Sequence, residues 1–450
     1  MSIKISIIGA GSAVFSLGLV RDLCLTPALG GCEVSLMDVS PERLRAIHTL
    51  CNRYIEETGA TIRAEATADR RASLKDADFV INTVLIGGYE PLNSGWEIAQ
   101  RLGYRFGGSL HVMHDEPFWV NFYQLQFFES VVQDIRELCP KAWYLQVANP
   151  VLAWVTYLGR KYPDLKIVGI CHGYAAVYEI AERLGLDPDA LTYEIPGVNH
   201  HVWLRAIHHK GENVWPLLDR WIANEAPAYW ATSRKSNGLG PHAVDLYKRF
   251  GVFPIGDTCT PGGGSWPWWY HTDDATEERW HEDPAGWWVR HAERGEARIR
   301  EINLVANDPS RPVSDVFPPE KSREVMVPLI EAVAVDSPRV LIGNVLNRGD
   351  YVPGIPRDFA VEIPLHARKQ GVRAIQTGAL PDPVIAQILR DRVAPVTIEL
   401  AAYDRRSKGG LVKLVMTDPW TRSLSQAEQL VDQILAMPQH AEMRAHYAER

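Results

Sequence analysis

Ile3-Lys4-Ile5-Ser6-Ile7-Ile8 is a short β-branched run, and Gly9-Ala10-Gly11-Ser12 follows it at once. An apolar run cut off by glycines predicts a buried strand and a turn. Val14, Leu17, Val20 and Leu23 then recur every three residues, which predicts a helix with one apolar face. Residues 33–38, 78–84, 142–147 and 167–170 are further short apolar runs, and 119–138 and 176–184 carry helical spacing. Strands alternating with helices predict an α/β fold with a doubly wound parallel sheet, whose ligands gather at the carboxyl ends of the strands. We expect residues 1–200 to form this nucleotide-binding sheet domain. Residues 201–450 form a mixed α/β C-terminal lobe for substrate and oligomerisation.

Composition narrows the function. At 450 residues, with 46% hydrophobic and 23% charged positions, the chain has an ordinary globular make-up and enough length for a large core. A net charge of -8 argues against nucleic acid or an anionic membrane surface as partner. The apolar start is shorter than a secretory core, and no run reaches the roughly 18 residues of a membrane span. The six cysteines are dispersed without a CxxC pair, which points to reduced thiols in a cytoplasm. No internal repeat is present.

Strand, glycine turn and helix in that order suit a dinucleotide pyrophosphate, because the glycines admit it and the helix start supplies N–H donors. Val14 stands where G-x-G-x-x-G has its third glycine, and Asp38 ends the next run 27 residues after Gly11. An acid there accepts from both ribose hydroxyls and repels a 2′-phosphate, favouring NAD over NADP. Its rival role is to cap the helix that starts at Ser40-Pro41. Cys171-His172 and Asn199-His200 follow later apolar runs. Thiolate and imidazole suit a borderline divalent metal, and two ligands leave an open site. A buried structural pair and a Cys/His nucleophile are the alternatives.

GAGSAVFS, LMDVS, ADFVINT, KAWYLQVANP, the CHG motif and GVNH-x-x-W together resemble family 4 of the glycoside hydrolases, which are NAD-dependent. The resemblance continues through PIGDT (254–258), NRGDYVPGIP (347–356), VEIP (361–364) and GALP (378–381). CHG and Asp257 are most similar to the branch that acts on unphosphorylated α-glycosides, typified by the Thermotoga α-glucosidase.

The resemblance implies a Rossmann-like N-terminal domain. It also implies hydrolysis by oxidation at C3 with NAD⁺, loss of the C2 proton, departure of the aglycone, addition of water and return of the hydride. Position by position, Gly9, Gly11, Ser12, Ala13, Val14, Phe15, Asp38, Thr83 and Asn149 would line the cofactor. Cys171 and His200 would hold Mn²⁺ or another divalent metal, with His200 also against the substrate. Asp257 would be the C2 base, with Tyr247 as its alternative. His172 would protonate the leaving group and contact the substrate, or be only structural. Asp115 and Asn149 would meet sugar hydroxyls, Asn149 otherwise orienting the turn before Pro150. Six of fifteen tryptophans fall between 266 and 288, as a substrate lid or as core and subunit packing. The expected substrate is an α-glucoside or α-galactoside, with an acidic sugar (glucuronide, galacturonide or sulfonated hexose) as the alternative. The expected assembly is a homodimer or homotetramer. An NAD-dependent sugar or hydroxy-acid dehydrogenase and a non-catalytic NAD-responsive protein are the rival classes.

Overall fold

In the computed structural model, which describes residues 3–12 and 15–448, the first six strands pair in parallel. They are β1 (Lys4–Ile8), β2 (Glu33–Met37), β3 (Arg63–Thr67), β4 (Phe79–Asn82), β5 (Trp143–Gln146) and β6 (Lys166–Gly169). Their spatial order is 3-2-1-4-5-6, so the chain reverses its direction of travel between β1 and β4. That reversal opens the crevice in which doubly wound folds bind dinucleotides. The expected helices run Phe118–Leu138 and Ala176–Arg183, and the first one runs Ser16–Cys24. Ala13 and Val14 lie outside the described residues. β3 was not legible as a strand: RAEAT is half exposed at the sheet edge and shows no apolar alternation.

The remaining strands are β7 (Leu191–Glu194), β8 (Gly197–Val198), β9 (His201–Leu204), β10 (Ala206–His209), β11 (Glu212–Asn213), β12 (Phe253–Pro254), β13 (Arg339–Leu346), β14 (Ala360–Arg368) and β15 (Gly371–Ala374). β7, β10 and β11 form a small antiparallel sheet. The main sheet continues antiparallel from β6 through β13, β14, β8 and β9 to β12, with β15 beside β14. It therefore runs unbroken past residue 200, and a boundary at 200/201 falls inside the β8–β9 hairpin. One register row crosses Gly169, Asn344, Glu362 and Gly197. This row brings the hairpin alongside the end of β6.

Helix Val151–Lys161 covers β6, β13 and β14 and is buried along nine consecutive residues from Val151 to Gly159. A second apolar cluster joins Phe118, Trp119 and Phe122 to Leu411, Leu414, Leu430 and Ile434, so the last helices pack onto the first half of the chain. Among the described residues no helix is long and apolar enough to cross a membrane. Trp154 is 1% exposed and meets Phe128 edge-on at 5.5 Å between ring centroids. Trp154→Ala should destabilise the chain by about 3–5 kcal/mol in urea unfolding; a loss under about 1 kcal/mol would show that this helix is not part of the cooperative core.

Candidate active site

The crevice end is built from backbone and two short side chains. Gly9, with φ 88°, and Ala10 both donate N–H to the Met37 carbonyl at 2.9 Å. A side chain on Gly9 would meet Val84 Cγ2 at 2.7 Å, so only glycine lets the turn lie against the end of β4. Ser12 closes the turn onto the Gly9 carbonyl, and Phe15 packs against the core beside the helix that follows. Thr83 donates its hydroxyl to the carbonyls of Ile8 and Gly9, at 3.2 and 3.1 Å. Asp38 does two things. One carboxylate oxygen accepts from Gly11 N–H at 2.8 Å and the other from Ser40 N–H at 2.8 Å. It fixes the glycine turn and holds the backbone of Ser40 just before the next helix, and it stands at the carboxyl end of β2.

Farther along the same edge, Cys171, His200 and Asp257 converge, with one ligand atom from each lying within 4.8 Å of the others. Cys171 Sγ is 3.6 Å from Asp257 Oδ2, and His200 Nε2 is 4.0 Å from that oxygen. Local rules explain each placement. Asn199-His200 is the two-residue turn of the β8–β9 hairpin, and His200 has φ 59°; such turns need left-handed backbone. Asp257 rides a single turn, Gly256–Thr258. A Cβ on Gly256, at φ 51°, would sit 1.9 Å from the Gly173 carbonyl oxygen, and one on Gly263 1.6 Å from that of Asp257. The glycines are what allow Asp257 to lie against the CHG loop.

Charges around this trio are strongly coupled. His200 Nδ1 is 3.0 Å from Glu116 Oε1, and both side chains are buried. Burial opposes charge on His200, but Glu116 and Cys171 outweigh it and hold its imidazole well above the usual range. Burial likewise opposes charge on Glu116, yet the His200 cation keeps that carboxyl low. Burial, then Glu362, pushes the Cys171 thiol up to about 12. Glu362 Oε2 accepts from Asn199 and Asn344 at 2.9 and 3.0 Å, while its Oε1 is buried without a hydrogen-bond partner. Burial raises the Glu362 carboxyl. A half-buried thiol, a buried imidazole and a half-buried carboxylate sharing one point form a donor set that a divalent cation fits.

His172 stands beside the trio on a cavity of about 410 Å³ lined also by Tyr178, Glu179, Asp257, Thr260 and Arg323. Its ring is exposed, and its Nδ1 is 2.8 Å from Glu324 Oε1, a bond that raises its pKa. Asp115 accepts from Asn149 Nδ2 at 3.3 Å and lies 3.1 Å from His114 Nδ1; burial raises its carboxyl. The Asn149 carbonyl accepts from Gln124 at 2.8 Å. Tyr247 is elsewhere. Its hydroxyl bonds Asp219 at 3.0 Å, and its ring lies against Trp215 and Phe253. Helix Pro241–Phe250 turns it toward Trp215, so the expectation of a tyrosine base at this position is corrected.

None of the six tryptophans between 266 and 288 is exposed. Trp266 lies buried against His201 at 4.5 Å and Trp203 at 5.8 Å. Trp288 meets His114 at 5.6 Å, and a side chain on Gly262 would begin 3.9 Å from Trp287. The segment is core on one side and backs the site on the other. Three supporting residues were not singled out from the sequence. Glu116 stands next to Asp115, and Glu362 lies inside VEIP, so both had a signal. Buried Arg392, which donates to the carbonyls of His200 (3.3 Å) and Gly263 (2.9 Å), had none.

Comparison with known proteins gives the family. The chain is 28% identical to an α-galactosidase of Rhizobium meliloti (strain 1021), over 98% of this chain and 90% of the other. It is 25% identical to an α-galactosidase of Bacillus subtilis (strain 168), over 93% of each. A 6-phospho-α-glucosidase from gut microorganisms, solved in complex with NAD and Mn²⁺, superposes with a TM-score of 0.78 at 18% identity, over 97% of this chain and 98% of that one. Residues 4–186 match the family 4 glycosyl hydrolase model, and residues 195–421 match the model of the family 4 glycosyl hydrolase C-terminal domain. Its matches, sheet order and acid-rich centre at the carboxyl edge lead to one conclusion: the chain belongs to family 4 of the glycosyl hydrolases and is a glycosidase.

Proposed function

We propose that the chain hydrolyses unphosphorylated α-glycosides of neutral hexoses, α-galactosides or α-glucosides, using NAD⁺ and Mn²⁺ or a similar divalent ion. The observation that carries this reading is the convergence of Cys171, His200 and Asp257 on the sheet edge that also presents residues 9–12 and Asp38. The α-galactosidase relatives support the linkage. The charge of the cavity supports a neutral sugar: Arg323 and His172 are set against Glu179, Glu182 and Asp257, a lining without the cationic excess that holds a phosphate or uronate.

When bound, NAD⁺ supplies a reversible hydride acceptor and the metal supplies Lewis acidity. The chain's own groups do the rest. Cys171 and His200 would ligate the ion, and Glu116 would fix the His200 ring so that Nε2 faces it. Asp38 would accept from the cofactor's ribose, with Gly9, Gly11, Ser12, Phe15 and Thr83 around it. Asp257 would take the C2 proton. His172, held by Glu324, would protonate the leaving oxygen, while Asp115 and Asn149 would orient the sugar. The six cysteines are all free, which supports a reducing cytoplasm. We extend the reading to a homo-oligomer, for which sizing in solution is the check.

Chelator-treated, NAD-free protein assayed on p-nitrophenyl α-galactoside and α-glucoside should be inactive and recover only when both NAD⁺ and Mn²⁺ are restored. Recovery with one alone contradicts the reading, and faster turnover of an α-galacturonide would replace the neutral sugar with the acidic one. Because Glu324 raises the His172 pKa, the protonated acid persists to higher pH than an unpaired histidine would allow. Glu324→Gln should therefore move the alkaline limb of the kcat profile to lower pH. An unmoved limb would assign the proton to another group.

A further inference from the structure

Asp22 is 3% exposed and sits in the last turn of helix Ser16–Cys24, the helix that follows the glycine turn. A buried acid is badly placed there, because the carbonyl end of the helix dipole repels it. Its ion-pair partner is the neighbouring Arg21, with Nε 3.7 Å away. Helix formation and packing therefore do not account for this aspartate, but its hydrogen bonds do. Oδ1 accepts from the Ser322 N–H at 2.8 Å, and Oδ2 accepts from the Ser322 hydroxyl, 300 residues along the chain.

The same hydroxyl accepts from the Glu324 N–H at 3.1 Å. A serine hydroxyl has one hydrogen to give and lone pairs to receive, so it passes the placement of Asp22 on to Glu324. Glu324 Oε1 in turn meets His172 Nδ1 at 2.8 Å. The His172 side chain is 62% exposed and that of Glu324 20%. An exposed ring tied to a loose carboxylate would swing with it, since an ion pair in water holds little geometry of its own. Pinning the backbone of Glu324 gives the pair a fixed direction. Tyr174, next to the CHG motif, holds the segment from its other side by donating to the Arg323 carbonyl.

From this geometry we infer that Asp22, acting through Ser322, is a positioning residue of the reaction. It ties the helix behind the cofactor turn to residues 322–324 and so fixes the direction of the His172 ring. The inference rests on the proposal above that His172 protonates the leaving oxygen. A carboxylate behind a histidine sets its ring and its tautomer; Glu324 does this for His172, and Asp22 sets Glu324.

The experiment compares two leaving groups. p-Nitrophenolate departs without a proton whereas methoxide needs one, so a general acid matters chiefly for the methyl glycoside. kcat is measured with NAD⁺ and Mn²⁺ on the p-nitrophenyl and methyl α-galactosides, or on the α-glucosides if these turn over faster. The readout is the methyl-to-nitrophenyl ratio. His172→Ala should lower that ratio by about 100-fold, the usual worth of a positioned acid. Asp22→Ala and Ser322→Ala should each lower it by about tenfold, because the acid stays but loses its direction. Ser322→Thr, which keeps the hydroxyl, should restore it. A variant damaged only in stability or cofactor binding slows both substrates alike and leaves the ratio where it was. An unchanged ratio in Ser322→Ala beside a lowered one in His172→Ala therefore overturns the inference, and this arm serves even where Asp22→Ala does not fold. An unchanged ratio in His172→Ala removes the acid reading itself, and the inference falls with it.

Discussion

One imidazole at this sheet edge is shared among several acidic groups. Glu116, Cys171, Asp257 and Glu362 surround one imidazole, His200, which has a side-chain exposure of 4%. Glu116 takes up the positive charge of His200, and Glu362 is capped by two asparagines on one oxygen only. His200 and the Gly173 N–H face the thiol, yet burial still pushes it up to about 12. Arg392 is buried nearby, but its guanidinium is spent on two backbone carbonyls. An added cation would favour the thiolate. Because the thiol must lose its proton to bind, metal affinity follows pH.

The scaffold makes such a crowded centre affordable. A single sheet carries the crevice at β1 and β4, the thiol after β6, and the hairpin turn that presents His200. Solved structures of similar chains share the architecture. The glycines at 256 and 263 hold Asp257 against the CHG loop at distances no other residue permits. Trp266 and Trp288 behind that loop are buried and act as its foundation.

Much of this was legible from the chain. The parallel strands followed from β-branched runs ended by glycine or a polar residue, and the helices at 118–138 and 176–183 from their spacing. The trio was legible only through the family motifs, because nothing in spacing alone tells that a turn at 199–200 and a loop at 257 meet a strand end at 171. β3 escaped because an edge strand half in water needs no apolar alternation. Arg392 escaped because it acts through backbone carbonyls, which leave no mark on sequence. Tyr247 was placed by analogy with phosphosugar enzymes, and here its ring is committed to Trp215.

The central claim is that a base beside the metal, Asp257, takes a proton from C2 before the glycosidic bond breaks. Turnover of an α-galactoside or α-glucoside in D₂O tests it most directly, with the product sugar read by NMR. The account predicts deuterium at C2, and its loss in Asp257→Asn while enzyme-bound NADH still forms. A product from the unaltered enzyme with no deuterium at C2 would mean that the bond at C1 is displaced directly, and would contradict the account.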